Sequence, residues 1–190
     1  KMAQLKIVLK GSNPLIWRRI LVPTDYHLGN LHLIIQLVMV GWENRHLHEF
    51  EINGQRYGNP AYEDEFPEED KDERKFKLAK VVKAGDKFAY KYDFGDGWQQ
   101  EIIVEEVCSD KSGPVCLGGE NACPPEDCGG IRGYYELLET IKDPNHPDYE
   151  EKVTWLGRFN PAGFDLKYVN STLNDFAKDP EVEWSVGGAK

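Results

Sequence analysis

The sequence predicts an α+β fold in which a largely antiparallel sheet of about six strands carries helices on one face. Most segments of alternating apolar residues come before the segments with helical spacing, and tight turns join the strand segments. The chain has 190 residues, of which 40% are apolar, so it can bury one complete core. We expect a single domain over residues 1–178 and a loosely fixed tail over residues 179–190.

The first elements are a hairpin and a helix. Leu5, Ile7 and Leu9 alternate, and a Ser-Asn-Pro turn leads to a second strand over residues 16–22. From Leu31, apolar residues recur at i, i+3, i+4, i+7 and i+8, which predicts a helix that stops at Gly41.

The middle of the chain predicts further strands around a charged loop. Residues 46–52 alternate and precede Asn53-Gly54, a strong hairpin signal, so a return strand should begin at Arg56-Tyr57. Residues 63–74 are mostly charged, which is typical of a solvated, mobile loop. The remaining strands are predicted over residues 76–82, 88–94 and 98–107.

The last part of the chain predicts one long loop and three helices. Residues 113–130 are rich in glycine and proline, and we expect this loop to be ordered and packed against the sheet, because its prolines reduce the entropy of the unfolded chain and its cysteines favour burial. Helices are predicted over residues 134–141, 149–156 and 169–176. Strands grouped before helices indicate helices on one face of an antiparallel sheet.

The charge and hydropathy of the chain exclude some function classes. Lys and Arg number 23 against 33 Asp and Glu, and a formal net charge of -10 repels phosphate backbones, so we expect no binding to duplex nucleic acid. The longest apolar stretch, residues 31–41, is far shorter than the roughly 20 residues needed to cross a bilayer, so we expect no membrane span. The chain begins without an apolar signal-peptide core, which predicts a cytoplasmic location.

Four stretches carry a family resemblance. They are Pro14-Leu15-Ile16-Trp17-Arg18-Arg19, residues 31–50 with Gly41-Trp42 and His46-Leu47-His48-Glu49-Phe50, Tyr92-Asp93-Phe94-Gly95-Asp96-Gly97-Trp98, and residues 123–134 with Cys123-Pro124-Pro125-Glu126-Asp127-Cys128. In order and spacing they resemble the plasmid pRiA4b ORF-3-like family, along the chain up to about Phe176. The resemblance implies a protein without an established biochemical activity, and a link to plasmids or mobile elements, since some members are labelled transposon-passenger or resolvase proteins.

One position departs from the family pattern, and the resolvase label does not fit the chemistry. The family continues Trp-x-His after the Asp-Phe-Gly-Asp turn, whereas this chain reads Trp98-Gln99-Gln100, so a mechanism that depends on that histidine is not expected here. A serine recombinase needs several arginines around its nucleophile and a basic DNA-reading module. This acidic chain offers only Arg18-Arg19 as an arginine pair, so we reject resolvase activity.

Two histidines and two aspartates form a candidate metal set. His46 and His48 share one face of a predicted strand, and Asp93 and Asp96 flank a turn that the fold can bring near them. The interpretation we favour is that the histidines are partly buried and hydrogen-bonded within the sheet, because Phe50 shares their face.

The cysteines admit two interpretations. Cys116, Cys123 and Cys128 are separated by six and four residues, without the close Cys-x-x-Cys pairs typical of structural zinc. A zinc ion held by these thiols and a histidine is one interpretation; small buried thiols under a proline-rich loop is the favoured one. Glu126-Asp127 precedes a helix, and we expect it to cap that helix.

Five large side chains lie in the family-like stretches. If several of them share a surface, they form a patch that binds a protein or peptide partner; the alternative is that the tryptophans fill the core between sheet and helix. They are Trp17, Arg18, Trp42, Trp98 and Tyr134.

The turn between the last two predicted sheet strands is expected to be a structural pivot. Gly95 and Gly97 supply backbone freedom at the reversal, and the carboxylates of Asp93 and Asp96 can accept hydrogen bonds from backbone N–H groups or from a nearby histidine. Phe94 and Trp98 should be at least partly buried.

Two function classes follow. Neither a nucleophile–base pair nor a complete ligand set can be assembled from the sequence, which favours a non-catalytic intracellular binding or accessory module without a cofactor. The alternative is a metal-assisted hydrolase in which a bound water is the nucleophile, and convergence of the four ligands in a pocket would favour it. Those ligands are His46, His48, Asp93 and Asp96.

Overall fold

A single sheet of eight strands forms the centre of the structure, which is a computed structural model describing residues 1–62, 64, 66–109 and 112–181. The order of the strands in the sheet is β5-β4-β3-β6-β7-β1-β2-β8, and all described neighbours are antiparallel except β4 and β5. The strands are β1 (Met2–Leu9), β2 (Trp17–Pro23), β3 (His48–Ile52), β4 (Gln55–Gly58), β5 (Lys71–Asp72), β6 (Lys87–Tyr92), β7 (Trp98–Cys108) and β8 (Val115–Glu120).

Five α-helices and one 3-10 helix accompany the sheet. They are α1 (Leu28–Met39), α2 (Leu78–Val81), α3 (Gly130–Thr140), α4 (Tyr149–Leu156) and α5 (Leu166–Lys178), with the 3-10 helix at Glu73–Lys75. The predicted α+β class and single domain are confirmed.

The sheet has one apolar face and one polar face. Successive strand residues point to opposite faces, and in β1 the side chains of Leu5 and Ile7 are buried. On the other face, Arg19 pairs with Glu105 at 2.8 Å, where both side chains are partly exposed. Helix α1 is buried along most of its length and covers the apolar face, as the helical spacing predicted.

The sequence indicated neither β8 nor β5. β8 lies inside the glycine- and proline-rich segment and pairs with β2, where Ile20 is opposite Cys116. Gly119 lies opposite Arg18 in this pairing. A Cβ atom at this position would lie only 2.7 Å from the Arg18 side chain and from the Trp17 carbonyl oxygen, so glycine is required there. The glycines that resemble a loop in the sequence therefore permit a close strand contact.

The acidic segment and its surroundings also differ from the prediction. β5 and the 3-10 helix occupy residues 71–75, and Glu73 is 1% exposed rather than solvated. Residues 78–81 form α2 instead of a strand, with Leu78 buried against the core. Within the segment predicted as mobile, Glu63 and Glu65 lie outside the described residues.

The C-terminal tail is described only at its start. Asn30 donates a side-chain hydrogen bond to the Pro180 carbonyl at 2.9 Å, so the chain is held against α1 at that point. Residues 182–190 of the predicted tail lie outside the described residues. None of the helices in the described part of the chain has the length and apolar character needed to cross a membrane.

The turn between β6 and β7 is built differently from the prediction. Asp93 and Gly97 adopt positive φ angles of 58° and 71°, whereas Gly95 does not. Trp98 is buried, as expected, but Phe94 is exposed, and the Lys91 ammonium lies 5.1 Å from the centre of its ring. At least partial burial was expected for Phe94 as well, and the residue is 41% exposed; Asp93, at positive φ, turns the backbone directly before it.

Candidate metal centre

Three side chains from separate segments meet at one end of the central strands. Within the described residues, His46, Asp93 and Asp127 form the group whose potential ligand atoms all lie within 4.8 Å of one another. His46 precedes β3, Asp93 follows β6, and Asp127 comes from the loop before α3. This candidate metal centre therefore combines two residues that the sequence singled out as possible ligands with one, Asp127, that it assigned to helix capping.

The distances from the imidazole suit a shared metal ion. His46 Nε2 lies 3.0 Å from Asp127 Oδ1 and 3.6 Å from Asp93 Oδ2. Ligands that each bind a divalent ion at about 2.1 Å are separated by roughly 3.0–3.5 Å. The buried Nε2 atom has no hydrogen-bond partner in the described chain, although two carboxylate oxygens are near it. A buried ring nitrogen this close to two carboxylate oxygens, without a well-aligned hydrogen bond to either, fits a cation between the three groups.

Asp93 is held in a fixed orientation by its own turn. Its Oδ1 atom accepts hydrogen bonds from the backbone N–H groups of Gly95 and Asp96 at 3.0 and 3.2 Å. The other oxygen, Oδ2, faces His46. One carboxylate oxygen therefore closes the turn while the other remains available to a metal.

The loop that carries His46 is fixed at three consecutive residues. The backbone N–H of Glu43 donates to Glu126 Oε1 at 2.9 Å, that of Asn44 to Gln36 Oε1 at 3.1 Å, and that of Arg45 to the Tyr92 hydroxyl at 3.0 Å. These bonds tie the loop to α1, to β6 and to the segment before α3. The position of His46 is therefore set by the surrounding fold rather than by an exposed loop.

Glu126 joins the two loops of the site. The Tyr92 hydroxyl donates to Glu126 Oε1, and burial raises the pKa of Glu126 above its ordinary value. Burial, followed by this hydrogen bond, also raises the pKa of Tyr92. Glu126 thus positions the loop that presents Asp127, and it is not a cap of α3.

Asp96 takes the capping role instead and is not one of the three converging ligands. Its Oδ2 atom accepts a hydrogen bond from the Gly129 N–H at 3.2 Å, at the start of α3. No side chain of residue 129 itself can cap this helix, because it is glycine. The Asp96 carboxylate, which the sequence placed in the candidate metal set, therefore accepts a hydrogen bond from an otherwise unpaired N–H group at a helix N-terminus.

His48 is buried and is not one of the three converging side chains. Its Nε2 atom is 2.7 Å from Glu73 Oε2, and its ring is stacked on that of His32 with centroids 3.3 Å apart. Of the four residues in the predicted set, the fold brings together His46 and Asp93 only. The sequence did not indicate Glu73 as a partner, because that residue lies in a run of charges.

The five residues of the predicted binding patch do not share a surface. Arg18, Trp42, Trp98 and Tyr134 are all buried, and Trp17 is half-buried on the opposite face of the sheet from Arg18. Trp42 packs against Trp98 with ring centroids 5.8 Å apart, so these two tryptophans fill the core. An exposed patch of these residues is therefore excluded by their burial.

The Arg18 guanidinium is bonded to backbone carbonyl groups of the fold. Its guanidinium donates to the carbonyl oxygens of Val38 and Met39 at the end of α1, and to those of Trp17 and Glu120. Phe164 lies over the guanidinium at 4.2 Å. The buried cation joins the C-terminal end of α1 to β2 and β8.

The cysteines do not assemble a ligand set within the described part of the chain. Cys116, Cys123 and Cys128 each contact a backbone carbonyl oxygen through the thiol, and all are free. Burial raises the pKa of each thiol, to about 12 for Cys128.

Gln100 occupies the position where the resembled family has histidine. It is fully buried on β7, and neither atom of its side-chain amide has a hydrogen-bond partner among the described residues. It lies opposite Tyr90 in the sheet rather than among the three metal-centre residues.

Comparisons with known proteins agree with the resemblance. A family model described as plasmid pRiA4b ORF-3-like protein matches residues 1–168. The uncharacterized protein y4hQ of Sinorhizobium fredii is 34% identical over 180 residues, which are 92% of this chain and 91% of that protein. The crystal structure of MM3350, a protein of unknown function from Methanosarcina mazei Go1, is 40% identical, with a TM-score of 0.78 over 87% of this chain and 96% of that chain.

Proposed function

Because this chain belongs to the plasmid pRiA4b ORF-3-like family, and its relatives y4hQ and MM3350 have no assigned function, we propose a function from the geometry of its own site. The proposal is a cytoplasmic binding or accessory module that holds one divalent metal ion through His46, Asp93 and Asp127. The observation that carries it is the buried His46 Nε2 atom between two carboxylate oxygens at 3.0 and 3.6 Å. Four free cysteines suit a reducing compartment.

The donor set defines the class of ion. One imidazole nitrogen and two carboxylate oxygens form a borderline-hard set, which suits Zn²⁺, Mn²⁺ or Fe²⁺ rather than a thiol-preferring ion. The imidazole is fixed by its loop and Asp93 by its turn, whereas Asp127 is 59% exposed at the surface. The two fixed ligands therefore define the position of the ion, and Asp127 closes the set.

Metal binding to purified protein tests this proposal. Protein stripped with chelator is titrated with ZnCl₂ and with MnCl₂ by calorimetry, and we expect one equivalent to bind per chain. His46→Gln and Asp127→Asn should each weaken binding by at least about tenfold, since removing a ligand or its charge removes a direct bond. Asp96→Asn is the matched control, because it removes a nearby carboxylate outside the ligand set and keeps an acceptor for Gly129. Equal metal affinities in the wild type, the two ligand variants and the control variant would reject the site.

A metal-assisted hydrolase is the second candidate function. Three protein ligands leave coordination positions for a water and a substrate, which is the arrangement of catalytic metal sites. Asp127 also lines a large groove, so the ion would be accessible to a substrate. Metal-dependent hydrolysis of a nitrophenyl ester or phosphodiester, lost in Asp127→Asn and kept in Asp96→Asn, would favour the enzyme over the binding module.

A further inference from the structure

The groove between α3 and α4 has a volume of about 1100 Å³. This is larger than most pockets for small ligands, which are roughly 300–1,000 Å³. α3 has 11 residues and is therefore about 16 Å long, which matches about five residues of an extended peptide. The dimensions suit a polypeptide segment.

Helix α4 forms one wall and is left without a covering layer. It has eight residues, and none of them is buried. One face of α4, together with its N-cap, lines the groove. Its residues recur at i, i+3, i+4 and i+7 and are Asp148, Glu151, Lys152 and Trp155. Short helices are stabilised mainly by packing, and an uncovered face with a half-exposed Trp155 is typical of a contact surface.

The net negative charge of the groove favours a positively charged partner. Two cations line it, and each already pairs with a groove carboxylate: Arg132 with Glu136 at 2.8 Å and Lys152 with Glu151 at 3.5 Å. Six carboxylates line the groove in total, which leaves an excess of four negative charges; they are Asp127, Glu136, Glu139, Asp143, Asp148 and Glu151.

In the described part of the chain, two of these carboxylates have no cation of their own: Asp143, which follows α3, and Asp148, the N-cap of α4. Within the described residues, neither Asp143 nor Asp148 forms an ion pair; the Asp143 carboxylate accepts a hydrogen bond from the Asn145 N–H at 3.0 Å. Carboxylates that line the same groove as an accessible indole ring can bind Lys and Arg side chains, through ion pairing and cation–π contacts.

We propose that the α3–α4 groove binds an extended, Lys- and Arg-containing peptide segment of a partner protein. The basic side chains pair with Asp143 and Asp148, and one of them lies over Trp155. A second copy of this chain is a poor occupant, because its net charge is -10. The inference stands apart from the metal proposal, since these three residues are not metal ligands.

The test measures the fluorescence anisotropy of a short labelled peptide in which lysine and arginine alternate with alanine, with chelator present to keep the metal centre out of the measurement. Matched peptides carry glutamate or glutamine in place of the basic residues. We expect the basic peptide alone to bind, with an affinity that falls as salt is added. Binding of the glutamate or glutamine peptide with equal affinity overturns the proposal.

Variants separate a specific groove from general attraction to an acidic protein. The double variant Asp143→Asn, Asp148→Asn should weaken binding by about tenfold, and Trp155→Ala by about threefold to fivefold. The control Glu51→Gln, Glu106→Gln removes the same charge from exposed strand positions and should leave the affinity unchanged. An equal loss in the control variant, or full affinity in the groove variants, overturns the proposal. So does a dimer of the wild-type chain that the groove variants dissociate.

Discussion

The imidazole rings of His32 and His48 lie parallel, with centroids 3.3 Å apart and planes inclined by 4°. Both residues are buried. His32 Nε2 is 2.7 Å from Asn44 Oδ1, which accepts, so the proton is assigned to Nε2; Nδ1 then accepts from the Tyr90 hydroxyl at 2.9 Å. The stack therefore places a neutral imidazole at the point where α1 holds the loop that carries His46.

This relationship predicts a loss of stability in mild acid. Burial, and then the nearby His48, lower the pKa of His32 well below its ordinary value near 6.5. The unfolded chain binds a proton that the folded chain does not, so the free energy of unfolding should fall as the pH falls below about 6.5. For one such group the slope is at most about 1.4 kcal/mol per pH unit.

Urea unfolding of wild type and of His32→Asn, measured from about pH 8 to about pH 5, checks this prediction. Burial also lowers the pKa of His27, so some pH dependence should persist in the variant. A shallower slope in the variant is expected. Identical slopes would mean that His32 titrates normally in the folded protein.

Arg18, which the sequence placed in a possible binding patch, should instead contribute strongly to the stability of the fold. Arg18→Met leaves buried carbonyl oxygens of α1 and Glu120 without a donor, and we expect a loss of about 3 kcal/mol. Arg19→Met removes a partly exposed pair with Glu105 and should lose about 1 kcal/mol or less. Equal losses in urea unfolding would contradict the structural role of Arg18.

The start of α3 should tolerate no side chain at Gly133. A Cβ atom there would overlap the Cys128 carbonyl oxygen, and backbone cannot move aside as a flexible side chain can. We expect Gly133→Ala to destabilise the protein by about 3 kcal/mol. Gly54→Ala, in the β3–β4 turn, is the control, because its φ is 78° but no atom lies within 4 Å, so about 1 kcal/mol is expected. Thermal unfolding with similar losses in both variants would contradict this account of Gly133.

Weak binding to DNA is expected from the net charge of -10. In an electrophoretic mobility or anisotropy titration with duplex DNA at physiological salt, we expect no submicromolar affinity. A submicromolar affinity that falls steeply with salt would instead indicate a basic surface that the charge count conceals.

The sequence predicted the parts of the fold that depend on local patterns. The spacing from Leu31 predicted α1, and Asn53-Gly54 predicted the β3–β4 hairpin, because periodicity and turn chemistry are properties of neighbouring residues. β8 was missed because its glycines look like loop residues until Arg18 and Trp17 are packed against Gly119. That contact joins residues far apart in the chain.

The candidate site was predicted in part for the same reason. His46 and Asp93 have ligand chemistry and lie near strand ends, so a sequence pattern can identify them. Asp127 and Asp96 could not be distinguished from sequence, because each is a carboxylate within two residues of a glycine and either can accept hydrogen bonds from free N–H groups. The choice between them depends on where the loop before α3 packs against β6, through Glu126 and Tyr92.

The position of a bound metal ion tests the central claim most directly. Crystals grown with MnCl₂ or ZnCl₂ and measured near the absorption edge of the metal give an anomalous difference map that locates the ion. We predict one peak about 2.1 Å from His46 Nε2 and from one carboxylate oxygen each of Asp93 and Asp127. A peak at the cysteine sulfurs, or a map without a peak between these three side chains at saturating metal, would contradict the claim.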